Sequence, residues 1–184
     1  MKNLLKILII TLILASCKKE TKKKAEMIKS DFNLKKDYLD FKQKMTELDT
    51  LKIWVDYSAC LFFGYERIII TKKLDFIKVN GEYKNETFTK DSKWKKTYDT
   101  LIPQNDTIWN FGQFLEKNKD RMTSKNKKYG RIQIKHKTDT IHLFSNGLSD
   151  LFHLLNEYDI TAEKICPRHL NLTERDIEII KDLN

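Results

Sequence analysis

From Leu51 to Thr89 the chain is dominated by strand-forming residues. The segments LKIWVDY, LFFGYERIIIT and LDFIKV are rich in β-branched and aromatic side chains. Such side chains fit a pleated, half-buried surface better than a helix. Asn80-Gly81 then joins LDFIKV to EYKNETFT. Asn-Gly suits a two-residue type I′ turn, because both central residues need positive φ. Residues 51–89 therefore predict an antiparallel meander of about four strands with a hairpin turn at Asn80-Gly81. An antiparallel sheet of this kind buries one face, and the rest of the sequence supplies helices to cover it.

The first helical pattern precedes the strands. Leu34, Tyr38, Phe41, Met45 and Leu48 are spaced by four, three, four and three residues, which puts them on one helix face. Asn33 is a fitting N-cap, since its side chain can accept from the orphan amides of a first turn. Two heptads are too few to favour a coiled coil over packing on the protein's own sheet. A second helical stripe reads Trp94, Tyr98 and Leu101, with Pro103 as its stop. Asp106 or Thr107 caps a third, with Ile108, Phe111 and Leu115 in line and Trp109 and Phe114 beside them. The run KNKDRMTSKNKK reads as a polar, basic loop.

A second hairpin follows, RIQIKHK and TIHLF around Thr138-Asp139. Ile132, Ile134, Ile141 and Leu143 fall on one face together with His136, and His142 points the other way. A one-residue slip would turn every side chain over, so the apolar set fixes the face. Ser145-Asn146-Gly147 leads into a short helix with Leu148, Leu151, Phe152 and Leu155 inward. Thr173 and Asp176 form an acidic variant of a capping box for a last helix ending near Leu183. The expected fold class is α+β: one domain over residues 30–184, with an antiparallel sheet of about six strands and helices packed on one face.

The N-terminus has a different character. Lys2 and Lys6 precede Ile7–Ser16, ten residues that are almost wholly apolar. That is about half the length a bilayer-spanning helix needs, and it fits the core of a secretory signal. The order Leu14-Ala15-Ser16-Cys17 resembles the lipobox of bacterial lipoproteins, and "SCKKE" before a Lys-rich stretch resembles those of flavobacteria and their relatives. The resemblance implies a signal peptide over residues 1–16, cleavage before Cys17, diacylglycerol on its thiol and an acyl chain such as palmitate on its amine. Residues 17–29 then form a tether. Two or more acyl chains hold a protein stably at a membrane where one does not. Lys18, in place of Asp after the lipid cysteine, implies the outer membrane. Surface-display signals of that group tend to be acidic just after the cysteine, and Glu20, the one acid in residues 18–24, implies the periplasmic face instead.

Charge supports that organisation. The chain holds 35 Lys and Arg against 26 Asp and Glu, a net +9. A pI near 9.3 invites a nucleic-acid reading. Yet residues 18–24, KKETKKK, carry +4, Lys2 and Lys6 leave with the signal peptide, and residues 25–184 retain only +3. The excess lies beside the lipid, where each basic residue adds up to about 1 kcal/mol of attraction to anionic head groups. The expected partners are thus the membrane, through the N-terminal lipid, and a protein or envelope component, with no nucleic acid.

With Cys17 spent on lipid, Cys60 and Cys166 remain. They either bridge, closing a loop of about 100 residues, or stay free, with Cys60 a small buried hydrophobe in YSACLFFGY. No second cysteine lies within metal-ligand spacing of either, so no metal is expected. The chain shows no Gly-x-Ser-x-Gly elbow and no Gly-rich phosphate loop, and no cofactor is expected. Trp54, Trp94 and Trp109 fit either a sugar- or peptide-stacking role or the core. His136, His142, His153 and His169 are the available general bases. Asp-Thr followed by Leu or Ile recurs four times and resembles the O-glycosylation site of flavobacterial exported proteins, with Thr107 and Thr140 best placed. Ordinary turn and cap chemistry explains the same pairs.

Two functions fit. The first is a non-catalytic, lipid-tethered binding or accessory module, for instance an immunity protein against a delivered toxin or a subunit of an envelope complex. The second is a small envelope hydrolase that uses His136, His142 or His169 with nearby acids. Burial of the histidines discriminates between them.

Overall fold

A computed structural model of the chain describes residues 29–59, 63–86, 93–123 and 130–166. The lipobox, residues 17–28 of the tether, Cys60, His169 and the helix expected from Thr173 lie outside them. The described residues form one six-stranded antiparallel sheet with helices, an α+β fold. The strands are β1 (Thr50–Asp56), β2 (Phe63–Lys73), β3 (Phe76–Glu86), β4 (Lys95–Pro103), β5 (Gly130–His136) and β6 (Asp139–Phe144). Their order across the sheet is β4-β3-β2-β1-β5-β6. Four α-helices accompany them: α1 (Leu34–Asp37), α2 (Phe41–Lys44), α3 (Phe111–Lys117) and α4 (Leu148–Ala162).

One face is the core. Ile141, Ile134, Ile53 and Ile68 are successive cross-strand partners on β6, β5, β1 and β2, and all are buried. All four helices contribute to the same cluster, with Leu34, Phe41, Phe111, Phe114, Leu151 and Tyr158 among the buried side chains. Each such side chain removed from water stabilises the fold by about 1.5–3 kcal/mol.

The Asn80-Gly81 hairpin is corrected. β3 runs straight through these residues, and the meander has three strands up to Glu86, not four. The turn is Leu74-Asp75, flanked by the pair Lys73 and Phe76, with Leu74 at φ 54°. Gly81 serves the close approach of a side chain: a Cβ there would overlap the Tyr98 ring from β4.

The helix expected over Trp94, Tyr98 and Leu101 is also corrected, because these residues belong to β4 and the stretch before it. Tyr98 and Ile102 face the core, while Leu101 is exposed. The N-terminal helix is split in two. Asn33 caps α1 as expected, accepting from the Lys35 and Lys36 amides. The chain then breaks at Leu39, whose backbone lies on Gly112; a Cβ on that glycine would come within 2.5 Å of the Leu39 carbonyl oxygen. Leu34, Phe41 and Met45 are buried, Tyr38 is half-buried and Leu48 is exposed.

In the second hairpin the faces agree with the pattern, but the turn lies one residue earlier, at Lys137-Thr138, with His136 paired to Asp139. Part of the expected basic loop is a 3-10 helix, Lys119–Thr123. α4 is longer than the short helix expected. It buries Leu151, Leu154, Leu155 and Tyr158 and leaves Leu148 and Phe152 exposed.

Candidate binding face

Strand alternation gives the sheet a second face, away from the helices. Cross-strand partners there form one row: His142 on β6, Gln133 on β5, Trp54 on β1, Arg67 on β2, Glu82 on β3 and Lys96 on β4. The row crosses all six strands. Its centre is aromatic and cationic. Trp54 packs edge-on against Trp94 at 5.4 Å and tilts against Tyr65 at 5.7 Å. The Arg67 guanidinium lies 4.3 Å over the Trp94 ring and pairs with Glu82. Trp54 is nonetheless 38% exposed, and so is Ile69. Trp54 and Trp94 therefore occupy the outer face, while Trp109 is buried between Phe41 and Phe111.

At its β6 end the row meets an open groove of about 830 Å³, lined by Lys35, Tyr38, Trp54, Gln133, Thr140 and His142 among others. His142 stacks on Phe144 at 5.8 Å. Gly130 permits that pose, since a Cβ there would lie 2.9 Å from His142 Nδ1.

The other described histidines do not join it. His136 is buried with its Nε2 2.9 Å from Asp49 Oδ1. Asp49 also accepts from Ser30, from the Thr46 amide and hydroxyl at 2.9 Å each and from Lys137 at 3.3 Å. Burial alone would raise the Asp49 pKa, but the hydrogen bonds from Ser30, Thr46 and His136 outweigh it and hold it at about 2. Ser30 bonds the carboxylate and not the imidazole, so this is a clasp and not a nucleophile with its base. His153 is exposed on α4.

A second buried polar cluster lies in the core. Glu66 accepts from Tyr158 at 2.7 Å, with the Tyr57 and Tyr98 hydroxyls at 3.4 Å. Tyr57 also donates to Asp159 at 2.9 Å. Burial, reinforced by Glu66, pushes the Tyr98 and Tyr158 phenols up. Composition gave no sign of this cluster, because its members are far apart in sequence.

Thr107 is exposed and Thr140 half-buried. Asp106 accepts from the Ile108 and Trp109 amides in a turn, but the helix expected to start at Asp106 or Thr107 is corrected: α3 begins at Phe111, after Asn110, and Ile108 is exposed. Cys166 is half-buried against the core, and burial raises its thiol pKa. Among the described residues no group of three or more His, Cys, Asp or Glu is placed to hold a metal, and no helix is long and apolar enough to cross a membrane. No family model, curated protein or solved structure matches the chain.

Proposed function

We propose that this chain is a lipid-anchored cell-envelope protein, held through Cys17 at the outer membrane on its periplasmic side, that works as a non-catalytic binding or accessory module. Its binding surface is the outer sheet face. The observation that carries this reading is the Trp54–Trp94–Arg67 cluster, which leaves a large indole partly exposed in the middle of the outer sheet face, with Tyr65 and the exposed Ile69 on the same face. Trp, Tyr and Arg dominate the energetic centres of protein interfaces, because each combines wide apolar contact with directional polar groups. A protein partner of the immunity or envelope-complex kind fits such a face.

The hydrolase reading loses His136 to the Asp49 clasp. His142 borders the groove at the β6 end of the row. A crosslinking capture with the full-length protein from envelope extract tests the reading. The expected result is one partner at near-stoichiometric yield, with crosslinks on the outer strand face. Turnover of an envelope substrate that His142→Ala abolishes would replace it.

A further inference from the structure

The outer sheet face carries a mismatch of charge. Lys52 of β1 and Lys135 of β5 are direct cross-strand partners, and both are exposed. Like charges directly opposite each other repel and destabilise a sheet. Among the described residues neither lysine has an ion-pair partner. Their strand neighbours on that face are Thr140 and Ile69 across the sheet and Thr50, Trp54 and Gln133 along it. None of these is an acid.

The acids further off are committed or distant. Asp56 holds Arg131 at 3.1 Å, and Glu82 holds Arg67. Asp99 holds Lys78 at 3.6 Å and Lys96 at 2.8 Å. Asp139 pairs with His136 on the opposite side of the sheet and lies 3.8 Å from Lys35, and Asp49 is fully buried. Leu74, whose amide holds Glu47, and Phe63, the partner of Glu86, stand five and six residues along the chain from Ile69. Those steps are about 16–20 Å.

Two adjacent ammonium groups are thus left uncompensated beside an exposed indole. Cross-strand partners have Cβ atoms about 4.5–5.5 Å apart, so a single carboxylate can bridge both lysines and relieve their repulsion. Trp54 follows Lys52 on the same face, and the exposed Ile69 lies across from it, so apolar contact is available next to the charge. Ring stacking is less well served. Arg67 covers the Trp94 ring, and Trp54 is flanked by the Trp94 and Tyr65 rings. The face therefore suits an acidic side chain beside an apolar one better than a nucleobase or a sugar ring.

We propose that the outer face recognises an acidic protein segment, with a carboxylate bridging Lys52 and Lys135 and an apolar side chain against Trp54. The proposal rests on the binding-face reading above and gives that partner its chemistry. The lysine pair steers the encounter and fixes register, while the indole supplies most of the affinity.

The test uses the full-length protein, with a short fluorescent peptide of alternating Glu and Leu as the probe, read by anisotropy at fixed salt. The Glu peptide should bind at least about tenfold more tightly than its Gln–Leu counterpart. Lys52→Gln combined with Lys135→Gln should weaken it about fivefold. Lys36→Gln combined with Lys44→Gln removes the same charge from exposed positions on α1 and α2 and should leave binding unchanged. A Glu peptide that binds no better than the Gln peptide, or an equal loss in both double variants, overturns the proposal. Tighter binding of a single-stranded oligonucleotide of equal charge overturns it in favour of nucleic acid. Carbodiimide coupling of Lys52 or Lys135 to an acid of residues 173–183, with no peptide present, overturns it in favour of the chain's own C-terminal segment. The partner recovered by crosslinking separates this proposal from the reading it rests on. Weakening by Trp54→Ala but not by the Lys52 and Lys135 change overturns the proposal and leaves the binding face standing. Weakening by neither overturns both.

Discussion

Asp49 and His136 meet 2.9 Å apart in the core although 87 positions separate them in sequence. Through that contact the segment entering β1 is locked to the end of β5, and Ser30, just before α1, donates to the same carboxylate. The imidazole, on the face it shares with Ile132 and Ile134, is held in a buried contact that ties the entry of β1 to the end of β5.

The clasp predicts an acid transition. The folded-state pKa of Asp49, about 2, lies below its unfolded value near 3.8. Its contribution, about 2 kcal/mol, is therefore present above pH ~4 and lost as pH falls from ~4 toward ~2. Urea unfolding from pH 2 to 6 should show this loss in the natural chain. Asp49→Asn should be less stable at pH 6 and show a smaller loss on acidification. Parallel profiles would refute the assignment.

Gly81→Ala should cost about 1–3 kcal/mol, because its methyl enters the space of the Tyr98 ring. Combining it with Tyr98→Ala should cost less than the sum of the two single changes. Strict additivity would indicate that Gly81 is needed for its backbone alone.

Leu74→Gly should stabilise the protein by roughly 0.5–1 kcal/mol, since it releases a leucine from positive φ at a site where the side chain is exposed. Thermal unfolding of the soluble portion of the curve, at matched protein concentration, reads this directly. A fall in Tm would mean that Leu74 packs usefully within the fold.

Tyr158→Phe removes the 2.7 Å donor to Glu66 in a buried site. The expected loss is about 1–3 kcal/mol by denaturant unfolding, with secondary structure retained. An unchanged midpoint would show that the Glu66 carboxyl is satisfied by its other neighbours.

Much of this architecture was legible in the sequence, and the misreadings have physical causes. Asn33 was readable as a cap because capping is local. The face of His136 was readable because a register that keeps Ile132, Ile134, Ile141 and Leu143 together puts His136 with them, whereas one that pairs His136 with His142 splits the apolar set. Asn80-Gly81 misled because the same dipeptide that suits a turn also suits a strand crossed by a bulky ring, and Tyr98 is not a local signal. Trp94 and Tyr98 are four residues apart, a spacing that satisfies a helix turn and a strand face alike. Ile102, not Leu101, shows which period holds. The outer-face cluster was beyond reach, because it depends on Trp54 of β1, Arg67 of β2 and Trp94, just before β4, meeting in space. The Glu66 cluster depends likewise on β2, β4, α4 and Tyr57, just after β1, converging.

The central claim is that the Trp54 face binds a partner. The direct measurement is the affinity of the partner recovered by crosslinking for the natural chain and for Trp54→Ala. Loss of a hot-spot indole should weaken binding by about 30-fold or more, equivalent to at least ~2 kcal/mol, while the unfolding midpoint changes little because Trp54 lies outside the core. An affinity that Trp54→Ala leaves unchanged, with the partner crosslinked elsewhere, would contradict the account.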